Sequence, residues 1–378
     1  MKQTIDRDGV DHLLGALQKL GYETIGPTIR SGAILYDTIR TTKDLPVGWM
    51  DTQGAASYRL TRREDDELFG YVVGPMSLKK FLFPPELRLL SLARTNGTMT
   101  VTEPVGSQGG HKRAVLGVRA CELAALAIQD KIFLDGPYRD PHYEAERRKL
   151  FIIAVNCTTT GGNCFCTSTG TGPAATSGYD LCLTELGASS GHALLVETGT
   201  EPGEDLLRSL RAKEATGEEL AIARARVESA KLHIGKTLEV EGLREALHSG
   251  MDDTRWDNVA LRCLSCGNCT QVCPTCFCST VEDVTDLSGR EAHRIRKWDS
   301  CFTLDFSYIH GGSVRQSVRA RYRQWLLHKL DTWIDQFGMM GCVGCGRCIT
   351  WCPVGIDITE EASALHQQHA VSLRPSGE

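Results

Sequence analysis

Cys263–Cys278 reads CLSCGNCTQVCPTCFC, six cysteines in sixteen residues. Its first part, CLSCGNCTQVCP (Cys263 to Pro274), returns without a gap as CVGCGRCITWCP (Cys342 to Pro353). Each copy has the spacing C-x2-C-x2-C-x3-C-P, the run that binds cubane iron–sulfur clusters in two-cluster ferredoxins. Three cysteines at two-residue intervals wrap a short loop round one face of a cubane, and Gly267 and Gly346 permit the tight backbone this needs. The fourth cysteine follows as a helix begins and ligates the other cluster, and proline ends the run. The pattern predicts cluster A on Cys263, Cys266, Cys269 and Cys352, and cluster B on Cys342, Cys345, Cys348 and Cys273. A structural zinc ribbon needs two C-x2-C pairs and has no use for a third cysteine in each run.

The rest of the composition fits this reading. Sixteen cysteines in 378 residues call for metal ligation or redox chemistry in a reducing compartment. They fall in three groups, Cys121 to Cys182, Cys263 to Cys301 and Cys342 to Cys352. A net charge of −5 argues against nucleic acid or an anionic membrane as partner. No apolar run approaches the ~20 residues of a membrane span, and the N-terminus MKQTIDRDGVDHLL lacks a signal-peptide core, so a cytoplasmic location is expected.

The N-terminal part reads as mixed α and β. GVDHLLGALQKLG spaces its leucines along one helical face, and TIGPTIRSGAILYDTI has a hairpin pattern turning at Ser31–Gly32. RAVLGV and KLFIIAV have the length and branching of buried strands, with helical CELAALAIQ after the first. DLCLTEL and HALLVET suggest a second hairpin, in which Cys182 is structural. From Glu201 an Ala-, Glu- and Arg-rich segment reads as a helical connector. The fold class expected is an α+β N-terminal domain followed by a mostly α-helical two-cluster ferredoxin domain. The expected bounds are 1–200, a connector at 201–254, the ferredoxin domain at 255–365 and a frayed tail at 366–378. The copies of the motif stand 79 residues apart, and the insert between them is rich in helix formers, so it too is expected to be helical.

Cys121, Cys157, Cys164 and Cys166 lie at strand ends and in the Gly-rich loop GGNCFCTSTGTGP, which can converge on one point. They are candidates for a third [4Fe–4S] cluster, cluster C, with zinc or plain burial as the alternatives. Cys276 and Cys278 in TCFCST echo NCFCTST, and Cys301 follows in KWDSC. Three sulfurs are one short of a closed site, so packing near cluster A is the reading preferred over ligation. Arg294, Arg296, Lys297, Arg315, Arg319, Arg321 and Arg323 form a basic stretch. It is either a solvated face, a source of positive charge beside a dianionic cluster, or a docking surface for an acidic partner.

CLSCGNCTQVCPTCFC, WDSC, GCVGCGRCITWCPVGIDI and NCTTTGGNCFCTSTGTGP together resemble one family, and so do LGYETIGPTIRSGAILYDTI, DLPVGW, YVVGPMSLKKFLFPP and GVRACELAAL. It is the iron–sulfur beta subunit of cytoplasmic NAD(P)-linked [NiFe] hydrogenases, the sulfhydrogenases; the electron-transfer subunit of anaerobic sulfite reductase belongs with it. The resemblance implies a relay that links a flavin/NAD(P) subunit to the hydrogenase small subunit, with the nickel–iron site in the large and small subunits. The alternative it leaves is a relay to a siroheme sulfite reductase subunit. No G-x-G-x-x-G opens a helix, no phosphate loop and no H-E-x-x-H occurs, and no cysteine precedes Cys121. The chain is therefore expected to carry no substrate-converting site and to serve as one component of an oxidoreductase complex.

Overall fold

The structure, a computed structural model, describes residues 2–102 and 111–370. The end of the expected tail, 371–378, lies outside them. The N-terminal half is built on an eight-stranded mixed sheet. Its centre is four parallel strands in the spatial order Leu181–Glu185, Leu150–Val155, Arg113–Val118 and Glu23–Arg30. LFIIAV and LCLTE are buried almost throughout, as parallel strands covered on both faces must be. The predicted hairpin partner Ala33–Thr38 closes one edge, turning through Ser31 and Gly32, both at positive φ, the geometry a two-residue hairpin requires. The second predicted hairpin pairs Leu181–Glu185 with Leu194–Thr198. Helix Arg7–Lys19 is capped by the Asp6 carboxylate, which accepts from the Gly9 amide, and buries Val10, Leu13, Leu14 and Leu17 against the sheet.

The strand order brings two chain reversals side by side. Arg113–Val118 and Leu150–Val155 are neighbours and point the same way, so Arg119–Cys121 and Asn156–Cys157 leave the sheet at the same edge. Such carboxyl ends are where open parallel sheets gather their ligands.

The C-terminal part is helical round the two motifs, with helices Leu243–Ser249, Arg255–Ala260, Val318–Leu327 and Ile358–Ala370 and one short helix in each motif, Asn268–Gln271 and Arg347–Thr350. The insert departs from expectation in its first half. Ser279–Thr285 and Glu291–Trp298 form an antiparallel hairpin. It completes a four-stranded sheet with Glu86–Thr95 and Thr98–Thr102 of the N-terminal part. EAHRIRKW contains good helix formers, but it lies between two strands whose ladders satisfy its backbone, and that pairing outweighs local propensity.

Two phenylalanines lock the halves together. Phe165 of NCFC is fully buried in the C-terminal core with Trp256, Phe302 and Tyr322. Phe277 of TCFC reaches the other way, with ring centroids 6.2 Å from Phe133 and 5.6 Å from Trp333.

A candidate chain of iron–sulfur centres

The two motifs fold alike. In each, the residue two after the first cysteine has left-handed backbone, Ser265 at φ 53° and Gly344 at φ 60°. Its amide points at the first thiol, Ser265 N to Cys263 Sγ at 3.4 Å and Gly344 N to Cys342 Sγ at 3.5 Å. Gly267 and Gly346, at φ 74° and 72°, then cap the short helices that carry the third cysteine of each motif, Cys269 and Cys348, and the fourth, Cys273 or Cys352, follows just after the helix ends rather than where one begins. These turns are the amide-lined wrap the spacing implies.

Around the first motif one cavity is lined by Cys263, Cys266, Cys269 and Cys352, the predicted cluster A set. Its far wall is apolar and aromatic, with Phe302, Tyr322, Trp325 and Ile356. Tyr322 Oη and Trp325 Nε1 are buried without a protein hydrogen-bond partner. Donors orphaned beside four thiols suit a cluster, whose sulfurs accept weak hydrogen bonds.

Cys273 is held beside the second motif, since Thr275, two residues after it, donates to the carbonyl of Gly341, which precedes Cys342, at 2.8 Å. This motif is enclosed by the N-terminal domain. The Phe165 amide donates to the Gly344 carbonyl at 2.8 Å, and Thr171 Oγ1 donates to the Val343 carbonyl at 2.8 Å. A Cβ on Gly346 would collide with the Asn163 carbonyl oxygen, and one on Gly344 would stand 2.6 Å from the Cys166 amide nitrogen. Only glycine allows backbones to meet so closely.

The predicted cluster C residues come together as well. Cys121, Cys157, Cys164 and Cys166 line one cavity with Arg119, and Cys345 of the second motif lines it too. Arg119 is buried, donating to the carbonyls of Asn156, Phe69 and Tyr71. Its Nε has no partner. A buried cation with an orphaned donor in a cavity lined by four thiols is the setting an anionic cluster would satisfy.

Burial pushes the thiols of Cys121, Cys164, Cys269 and Cys348 well above their usual range, with neighbouring thiols adding to the effect. Such thiols lose their protons when a metal replaces them, which couples loading of these places to folding. Cys273 goes the other way, lowered by a hydrogen bond from Cys276 and by the Lys329 ammonium, against the effect of burial.

Of the surplus cysteines, Cys301 packs against the core shared by Cys263, Cys269 and Cys352, near the cluster A set. Cys276 contacts Cys273, while Cys278 accepts from Cys301 and is pulled down to about 7 chiefly by that bond. Cys182 is buried on its strand, as expected of a structural residue. Much of the basic stretch is spent on protein partners. Arg294 pairs with Asp283 at 2.8 Å, Lys297 with Glu282 at 2.8 Å and Arg319 with Asp257 at 3.2 Å, while Arg296 pairs with Asp140. Arg321 donates to the Phe302 carbonyl at 2.9 Å and Arg323 to that of Met251. The cations close to the thiols are others, Lys329, Lys79, Arg119 and Arg347, which the sequence did not single out. Arg119 stands two residues before Cys121 and Arg347 inside the second motif, the positional signals that could have drawn notice to them.

Residues 262–356 match the family described as a 4Fe-4S dicluster domain. The chain is 33% identical over 282 residues to sulfhydrogenase 2 subunit beta of Pyrococcus furiosus, covering 74% of this chain and 79% of that protein. No solved structure matches it. Among the described residues no helix is long and apolar enough to cross a membrane. With two [4Fe–4S] clusters in its dicluster domain and an electron-transfer role, this chain belongs to the family of sulfhydrogenase beta subunits.

Proposed function

We propose that the chain is the relay of an NAD(P)-linked [NiFe] hydrogenase, linking a flavin/NAD(P) subunit to the hydrogenase small subunit. It would use three centres. Cys263, Cys266, Cys269 and Cys352 hold the first, Cys342, Cys345, Cys348 and Cys273 the second, and Cys121, Cys157, Cys164 and Cys166 a third. The bounds of this arrangement are an N-terminal domain over 1–200, a connector over 201–254, a ferredoxin domain over 255–365 and a tail over 366–378.

The observation that carries the relay is the contact between the second and third thiol sets. Cys345 lines the cavity of Cys121, Cys157, Cys164 and Cys166, and Cys164 Sγ lies 3.9 Å from the Cys345 carbonyl oxygen. The motif helices join the first set to the second, with Asn268 Nδ2 donating to the Trp351 carbonyl at 3.3 Å. Contiguous centres suit one-electron steps and leave the bond-making chemistry to other subunits. Cys266 is exposed and Leu264 beside it is 64% exposed, so the first centre is the port toward one partner.

The test is anaerobic purification of the assembly from its source through a tag on this chain. Nickel–iron and flavin subunits should accompany it, and hydrogen should reduce the cluster signals. A siroheme subunit in their place, with reduction coupled to sulfite, would move the chain to the sulfite reductase branch.

A further inference from the structure

Lys329 is 4% exposed, and among the described residues no carboxylate pairs with it. Its ammonium donates to Cys273 Sγ at 3.2 Å and to Thr275 Oγ1 at 3.1 Å. Thr275 is fully buried and spends its own proton on the Gly341 carbonyl at 2.8 Å, so its oxygen is oriented to accept from the lysine. The Gly341 amide returns to the Lys329 carbonyl at 2.8 Å, which fixes the backbone on both sides. Lys329 lies in a π-helical segment, His328–Thr332, inside the long helical run between the motifs. The wider turn places Lys329, Leu330 and Asp331 inward together, and such insertions are frequent at functional sites.

The buried cation of the same motif is handled differently. Arg347 pairs with Glu122, and that carboxylate also accepts from the Leu78 amide at 2.9 Å. Its charge is answered by protein. Lys79, 3% exposed, has no such answer either; it donates to the Gln271 carbonyl at 3.3 Å and sits 3.9 Å over the Trp298 ring. A buried ammonium surrounded by neutral thiols is unfavourable, whereas one beside an anionic thiolate-bound cluster is stabilised by it.

We propose that Lys329 is the potential-setting residue of the centre at Cys342, Cys345, Cys348 and Cys273, a fixed positive charge and sulfur-directed donor that favours its reduced form. This rests on the relay reading above. Reduction adds a negative charge to the cluster, and a cation held against a ligand sulfur stabilises that extra charge more than it stabilises the oxidised state. Among the described residues no equivalent lysine donates to a thiol of the first set, so the enclosed centre is the more easily reduced of the two. Electrons then rest at the middle of the chain and leave through the exposed centre when a partner draws them.

The experiment is a potentiometric titration followed by EPR on the full chain and on Lys329→Met, Lys329→Arg and Thr275→Val. For Lys329→Met, one cluster signal should lose at least about tenfold in its reduced-to-oxidised ratio at a fixed poise, about 59 mV for a one-electron couple. The other signals should hold, and Lys329→Arg should restore most of the shift. Thr275→Val keeps the charge but releases its anchor, so a smaller shift of the same sign is expected from it even where Lys329→Met does not accumulate. Wild-type cluster signals with unmoved potentials in the variants that fold would overturn the assignment to Lys329. Wild-type protein without the cluster signals would overturn the relay reading itself.

Discussion

The two cysteine motifs have the same spacing and the same left-handed turns, yet they occupy opposite surroundings. The first lies at the surface, with Cys266 exposed and Gly267 facing the side chains of Ser300 and Thr270, the nearest atom 3.1 Å from where a Cβ would stand. The second is closed over by the loop of Asn163, Phe165 and Cys166 and sits among Lys329, Arg347 and Glu122. Local sequence specifies how a cubane is wrapped; tertiary contact specifies whether the centre is a port or a junction.

That difference can be broken most forcefully at Gly346. Gly346→Ala drives a Cβ into the Asn163 carbonyl and strains a left-handed residue, so a loss of about 4 kcal/mol or more is expected. Thermal denaturation should show it, with iron lost from the enclosed centre first. Phe165→Ala should cost about 3–5 kcal/mol, since it removes a fully buried ring from the C-terminal core. Phe277→Ala, at a half-buried ring, should cost less in the same denaturation experiment.

A control lies in the sheet, away from both motifs. Burial pushes the Glu185 carboxyl up to about 7, although the amides of Leu68 and Phe69, at 2.8 and 3.0 Å, favour its ionised form. The folded state therefore prefers it protonated. Its contribution is complete below the unfolded carboxyl pKa and is lost as pH rises through about 7. About 3 kcal/mol should disappear between those limits, and Glu185→Gln should flatten that part of a pH–stability curve. A curve that keeps its slope in the variant would assign it to other groups. The smallest effect belongs to Gly267→Ala. Ser300 Oγ and Cβ stand 3.1 and 3.2 Å from the added Cβ, so only a small shift of Ser300 is needed and about 1–2 kcal/mol, mostly from the left-handed backbone, should be lost. A penalty equal to that of Gly346→Ala would remove the distinction between the two motifs.

What the sequence disclosed follows from how local each feature is. The motif turns need only their own residues, so spacing and glycine placement foretold the tight turns at Gly267 and Gly346, though not the left-handed Ser265 and Gly344 before them. The strands RAVLGV and FIIAV were legible as buried runs, and they led to Cys121 and Cys157 at neighbouring strand ends. The hairpin Ser279–Trp298 was not legible, because its pairing partner Glu86–Thr95 is nearly two hundred residues away. Lys329 was hidden for another reason. WLLHKLDTW reads as an ordinary amphipathic helix, and nothing local announces the π-helical turn that brings a lysine inward. Of the readings the basic stretch left open, the solvated face agrees with Arg294 and Arg319, which pair with the surface carboxylates of Asp283 and Asp257.

Whether the three thiol sets form one chain of centres is tested most directly by iron and acid-labile sulfide. Both should be measured on the anaerobically purified chain beside a Cys157→Ala/Cys164→Ala variant. Three centres predict about twelve irons per chain in the wild type, falling to about eight in the variant while the dicluster EPR signals persist. About eight in both would contradict them, and Cys121, Cys157, Cys164 and Cys166 would then be packing residues of the domain that encloses the second motif.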